Sequence, residues 1–128
     1  MEIGAHALVQ DGEVVSLILR GPLLHAHVEQ LRARVLEILH VGRCFIVADM
    51  RGLTTMDPAA RRAFGEWGRT GDLHITGVAA FGSSFAMRVM STLLLNAVRM
   101  LGRRELQVVF VRDEAEARAW VAERMLAS

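Results

Sequence analysis

The stretch Phe45-Ile46-Val47-Ala48-Asp49-Met50-Arg51-Gly52-Leu53-Thr54-Thr55-Met56-Asp57-Pro58 decides the fold, because it reads as a buried strand, a polar loop and a capped helix start. From Cys44 to Met50 the run is almost wholly apolar, flanked by Gly42 and Gly52, and too short for a helix. It predicts a central strand covered on both faces. Such a strand delivers Asp49 and Arg51 to its carboxyl end, where open α/β sheets place ligands and partners. Asp57 is suited to accept from the open amides of a first helical turn, and Pro58 is tolerated at the first helical position. Pro58-Ala59-Ala60 then brings no hydroxyl, thiol or imidazole to that helix start, so nothing there can react.

Working outward, Ile3 to Gln10 and Glu13 to Arg20 are strand-like runs joined by Asp11-Gly12, a strong hairpin signal. Leu24, Val28, Leu31, Val35, Ile38 and Leu39 recur at helical spacing and predict a first helix that stops before Gly42. The second helix starts at Asp57-Pro58, with Ala60, Phe64 and Trp67 on one face. Gly65, Gly68 and Gly71 weaken its later half, each by about 1 kcal/mol against alanine. Gly77 to Phe81 predicts a further strand closed by Gly82-Ser83-Ser84, Phe85 to Leu101 a long helix, and Leu106 to Val111 the last strand. Asp113 and Glu116 form a capping-box-like pair before Ala117, Trp120, Val121 and Met125, which share one helical face. The order β-β-α-β-α-β-α-β-α predicts an α/β fold: a mixed, mainly parallel sheet of about five strands, an N-terminal hairpin at one edge, and four helices.

The chain has 128 residues and 52% hydrophobic content, the size of a single domain spanning 1–128 with a sizeable core. Its one cysteine, Cys44, has no intrachain partner and reads as a small core residue in a reducing compartment. No apolar run approaches the roughly 20 residues that span a bilayer, so no integral membrane segment and a cytoplasmic location are expected. All 15 basic residues are arginine, balanced by 14 acidic ones to a formal +1, which is not a nucleic-acid footprint.

The element order and the residues from Asp49 to Asp57 resemble the STAS domain, the fold of bacterial anti-sigma factor antagonists. In that family a strand ending in an Asp-Leu-Ser-like tripeptide leads through a short loop to a Met-Asp pair and a helix. Ala48-Asp49-Met50-Arg51-Gly52 and Met56-Asp57 occupy the equivalent places here. Glu116-Ala117-Arg118-Ala119-Trp120-Val121 is similar to the SpoIIAA-like branch grouped with STAS and SEC14 domains. The resemblance implies helices mainly on one side of the sheet and a regulatory role. It also implies a switch by phosphorylation of a serine or threonine just after the helix-start aspartate, and Pro58-Ala59-Ala60 departs from that pattern.

The remaining candidates divide into two groups. Asp49, Arg51, Thr54, Thr55 and Asp57 form the candidate partner-binding stretch; Asp57 is adequately explained as a helix cap, and Asp49 with Arg51 as an ion pair or loop contact. Thr54 and Thr55 offer the loop's own hydroxyls for modification, although bonding to nearby backbone is the ordinary reading. Trp67, Ser83, Ser84, Met87, Met90 and Leu94 form a candidate ligand-binding group between the Gly-rich and Met-rich helices. The Met-rich face is expected to be core, with a lipid pocket, a homodimer interface or a membrane-facing patch as the alternatives.

Gly82-Ser83-Ser84 lacks the P-loop pattern and the closing glycine of a nucleophile elbow. His6, His25, His27, His40 and His74 are scattered, with no His-x-x-x-His pair and no carboxylate cluster, so no metal is expected. No cofactor motif is present, and none is expected. The leading expectation is a non-enzymatic module that binds a protein partner through Asp49 to Asp57. A SEC14-like carrier of a small lipophilic molecule is the alternative, and an enzyme using Ser83 and Arg51 ranks last.

Overall fold

The structure, a computed structural model, describes residues 2–38, 44–63, 75–84 and 107–127. Strands β1 (Glu2–Ile3), β2 (His6–Asp11), β3 (Val14–Leu23), β4 (Cys44–Met56), β5 (Ile75–Phe81) and β6 (Gln107–Val111) form one sheet in sequential order. Its first two pairings are antiparallel and the next three parallel. Helix α1 (His25–Ile38) joins β3 to β4, α2 is described over 58–63, and α3 (Glu114–Ala127) follows β6. The predicted helix over Phe85 to Leu101 lies outside the described residues, as do Phe64, Trp67, Gly65, Gly68, Gly71, Leu39 and Leu106.

Alternation along β4 explains the layers. Cys44, Ile46, Ala48 and Met50 face one core, which holds Val28, Leu31 and Val35 of α1 and Ala60 and Ala63 of α2. Phe45 and Val47 face the other, which holds Ala117, Val121 and Trp120 of α3 with Ala79 and Phe81 of β5. Every residue from Cys44 to Ala48 is buried, as expected for a central strand covered on both faces. Crossovers of one hand between sequentially ordered parallel strands put their helices on one face, where α1 and α2 lie together. Helix α3, which follows β6, covers the opposite face. Of the three described helices, two share one face, in line with the expectation of helices mainly on one side, and α3 covers the other. Burial also pushes the Cys44 thiol pKa up to about 11, which suits an inert core residue.

Four local expectations need correction. The run from Ile3 to Gln10 is interrupted at Gly4, which has φ 61°, so the sheet has six strands rather than about five. The hairpin turn is Gly12-Glu13, because Asp11 pairs with Val14. Gly12 alone has positive φ there, the arrangement of a type II′ turn rather than one built on Asp11-Gly12. Leu24 is not part of the buried α1 stripe; it is exposed ahead of the helix, and its carbonyl accepts the Val28 amide. The polar loop expected after Met50 is strand, because β4 continues to Met56.

The cap of α3 is half of a capping box. Asp113 Oδ1 accepts the Glu116 amide at 2.9 Å, while the Glu116 carboxylate lies 3.7 Å from Arg112 Nε. Gly77 lets the Trp120 ring lie on β5, since a Cβ at that position would sit 2.9 Å from the ring. Leu31→Ala, at a fully buried α1 position, is expected to cost about 2–5 kcal/mol in urea unfolding with an unchanged m-value.

Candidate functional site

The candidate partner-binding stretch begins where β4 outruns its neighbour. The last pair between β4 and β5 is Asp49 with Phe81, and β4 then runs on beside β3, with Arg20 opposite Gly52, Gly21 opposite Leu53, Pro22 opposite Thr55 and Leu23 opposite Met56. The result is a two-stranded parallel ribbon among the described residues. Leu53 and Met56 pack against the α1-side core and anchor it. Arg51, Gly52, Thr54 and Thr55 are exposed. Two register shifts, between Ile18 and Arg20 and between Gly21 and Pro22 of β3, each place one extra residue on β4 and mark the ribbon as bulged.

Asp49 and Arg51 share the sheet face opposite α1, as two-residue spacing in a strand requires. Arg51 Nε donates to Asp49 Oδ1 at 3.0 Å and its Nη2 to Oδ2 at 2.8 Å, a bidentate fork, and the Arg51 amide donates to Oδ1 at 3.1 Å. The guanidinium carbon also lies 5.4 Å from the Phe81 ring centroid. These hydrogen bonds from Arg51 hold the Asp49 carboxyl below the usual carboxylate range, aided by the positive charge of Arg20 and opposed by burial. The Arg51 side chain remains 67% exposed, so the carboxylate fixes its base and leaves the guanidinium presented to solvent. Ion pairing and a strand contact are thus one arrangement.

Gly82 makes that arrangement possible. Its φ is 76°, and an added Cβ would meet Arg51 Cγ at 2.2 Å and the Arg51 amide nitrogen at 3.1 Å. Only a residue without a side chain lets the chain leave β5 so close to β4. Ser83 beside it is half-buried, and its Oγ has no hydrogen-bond partner among the described residues; Ser84 is exposed. Trp67, Met87, Met90 and Leu94, the rest of the candidate ligand-binding group, lie outside the described residues.

At the far end of the ribbon, Asp57 Oδ1 accepts the Ala60 amide at 2.7 Å, and the Asp57 amide donates to the Leu23 carbonyl at 3.2 Å. Asp57 is therefore a helix cap and a tie to β3. Sequence reasoning missed one polar pair. His6 of β2 and His27 of α1 lie 21 positions apart, yet their ring centroids are 4.8 Å apart. The signal available was His6 itself, a polar residue at an inward position of a strand whose next inward residue is Leu8.

With this geometry in view, the chain belongs to the α/β class in which a mixed sheet carries helices on both faces. No family model matches the sequence, and no curated protein matches it. Solved structures do. An uncharacterised protein of the DUF3478 family with a SpoIIAA-like fold, from Shewanella loihica PV-4, aligns over 91% of each chain with 17% identity and a TM-score of 0.64. The anti-sigma factor antagonist SpoIIAA in its unphosphorylated form aligns over 94% of this chain and 98% of its own, with 22% identity and a TM-score of 0.56. The Bacillus cell fate determinant SpoIIAA in its phosphorylated form aligns over 91% and 99%, with 24% identity and a TM-score of 0.57. The chain has a SpoIIAA-like fold.

Two outcomes follow from the site. Gly82→Ala is expected to lower stability by about 1–2 kcal/mol, the cost of a left-handed non-glycine residue, and to separate Arg51 from Asp49 in a crystal structure of the variant. Because the Asp49 carboxyl is depressed in the folded state, its stabilisation is present above the unfolded value and lost as pH falls through the folded one. The stability gap between wild type and Asp49→Asn, measured by urea unfolding, is therefore expected to narrow below about pH 4.

Proposed function

We propose that the chain is a non-enzymatic regulatory module that captures a protein partner on the β3–β4 ribbon and the start of α2. The observation that carries this reading is the continuation of β4 beyond Asp49, which exposes Arg51, Gly52, Thr54 and Thr55 on a strand anchored by Leu53 and Met56. Core packing explains the anchors, and it leaves the exposed Thr54 and Thr55 side chains without a structural task. A rigid extended segment presents its side chains at little further ordering cost when a partner binds. Arg51, fixed by Asp49 but open to solvent, supplies a forked donor for a carboxylate on that partner.

The likeness to an anti-sigma factor antagonist supports a regulatory role, and this chain differs from the switching pattern at the helix start. Position 58 is proline, Ala59 and Ala60 carry no side-chain hydroxyl, and Asp57 is occupied in capping. Capture is accordingly ungated by phosphorylation there.

The test is a pull-down from cells of the source organism, using wild type and an Arg51→Ala/Thr54→Ala/Thr55→Ala variant, with partners identified by mass spectrometry. The variant is expected to lose the wild-type partner while its thermal midpoint falls by no more than several degrees, since exposed substitutions usually cost about 0.5 kcal/mol or less and the ion pair of a largely exposed arginine about 1 kcal/mol or less. Capture that survives in the variant places the interface elsewhere.

A further inference from the structure

Among the described residues, His6 is the one buried polar side chain, at 1% exposure. Its surroundings dictate its chemistry. The pairing of β2 with β3 ends at Ala7 and Ile18, so the ladder supplies no backbone partner from β2 for the Arg20 amide. His6 Nδ1 accepts that amide at 3.0 Å instead, which places the ring proton on Nε2. Nε2–H then faces the Pro22 carbonyl at 3.2 Å and His27 Nδ1 at 3.3 Å. His27 Nδ1 also accepts the Leu24 amide at 3.2 Å. His27 thus performs for α1 the back-bonding that glutamate performs in a capping box, reaching from the third helical position to the residue ahead of the helix.

Each acceptor nitrogen in this pair already faces an N–H. A proton added to His6 Nδ1 opposes a donor to a donor and breaks the hydrogen bond from the Arg20 amide. We propose that His6, seated between the Arg20 amide and His27, forms an acid-released latch: its protonation frees the Arg20–Leu23 end of β3 from β2 and α1, and loosens the β4 segment paired with it.

The groups around His6 act in that direction. From α1 comes His27, whose charge would oppose a second one on His6; β3 presents the Arg20 amide and Pro22 carbonyl, and β1 presents Ile3, the strand partner of His6. No carboxylate among the described residues contacts either ring to stabilise a cation. Burial first, and His27 second, hold the His6 pKa below the ordinary histidine value, with the Pro22 carbonyl acting the other way. Stability contributed by neutral His6 is therefore present above about pH 6.5 and lost as pH falls through the lower folded value. Mechanical consequence follows from register. Arg20, Gly21, Pro22 and Leu23 are the strand partners of Gly52, Leu53, Thr55 and Met56. The latch thus holds the surface assigned above to a partner, although it stands on the geometry alone.

The test is residue-resolved hydrogen exchange of the wild-type chain between about pH 7.5 and about pH 5, the range in which histidine titrates. Protection factors at Arg20 and at 53–56 are expected to fall by up to about tenfold per pH unit below about 6.5, while those of α3 hold. His6→Asn keeps an acceptor oxygen near the place of Nδ1 and takes no proton, so its protection is expected to be flat across the same range. The imidazole nitrogen shifts of wild type, read alongside, are expected to show Nδ1 unprotonated at neutral pH, and this readout stands even if His6→Asn does not fold. An identical pH slope in His6→Asn overturns the latch, as does a neutral-pH proton on Nδ1, or protonation of His6 with Arg20 protection unchanged. Exchange is read without any partner, so failure of the latch and failure of the partner surface give separate results.

Discussion

Two-sided burial of β4 is the constraint on which the rest of the structure depends. Cys44, Ile46, Ala48 and Met50 close one core and Phe45 and Val47 the other, so a single strand fixes both helical layers. Full burial of a large apolar side chain is worth about 1.5–3 kcal/mol, and the strand contributes several of them. A register slip of one residue would exchange the two faces and place Asp49 among the α1 contacts. The same constraint orders the sheet, because a strand buried on both sides requires a neighbour on each edge, here β3 and β5.

The candidate surface is a consequence of unequal strand lengths. β5 ends at Phe81 and turns away at Gly82, while β3 and β4 continue together to Leu23 and Met56. Asp49 stands at the point of departure, where it holds Arg51 through a bidentate fork, and Gly82 leaves room for both. At the other end Asp57 caps α2 and bonds to the Leu23 carbonyl. The ribbon is thereby fixed at both ends by aspartates, with exposed side chains between them.

Much of the layer arrangement was legible in the sequence because it follows from periodicity. The Val28-Leu31-Val35 stripe and the Ala117-Val121 face each carry one dominant spacing, the Cys44–Met50 run is almost wholly apolar, and each packs as its pattern requires. The caps at Asp57 and Asp113 were readable for the same local reason. The ribbon was not, because Arg51, Gly52 and Thr54-Thr55 have loop-like composition and are held as strand by pairing with β3, a long-range interaction that no local window contains. The break at Gly4 and the His6–His27 pair were hidden likewise: the first depends on a left-handed backbone, and the second joins β2 to α1 across 21 positions. The candidate site was thus visible as a list of residues, with its shape supplied by tertiary pairing.

We propose the strand extension of β4 as the binding surface. It is tested most directly by the backbone amide spectrum of the isotope-labelled chain, recorded free and with its captured partner. The largest shifts are expected on residues 51–57 and on Arg20–Leu23 opposite them. Shifts confined to α3, with the ribbon amides unmoved, would contradict it.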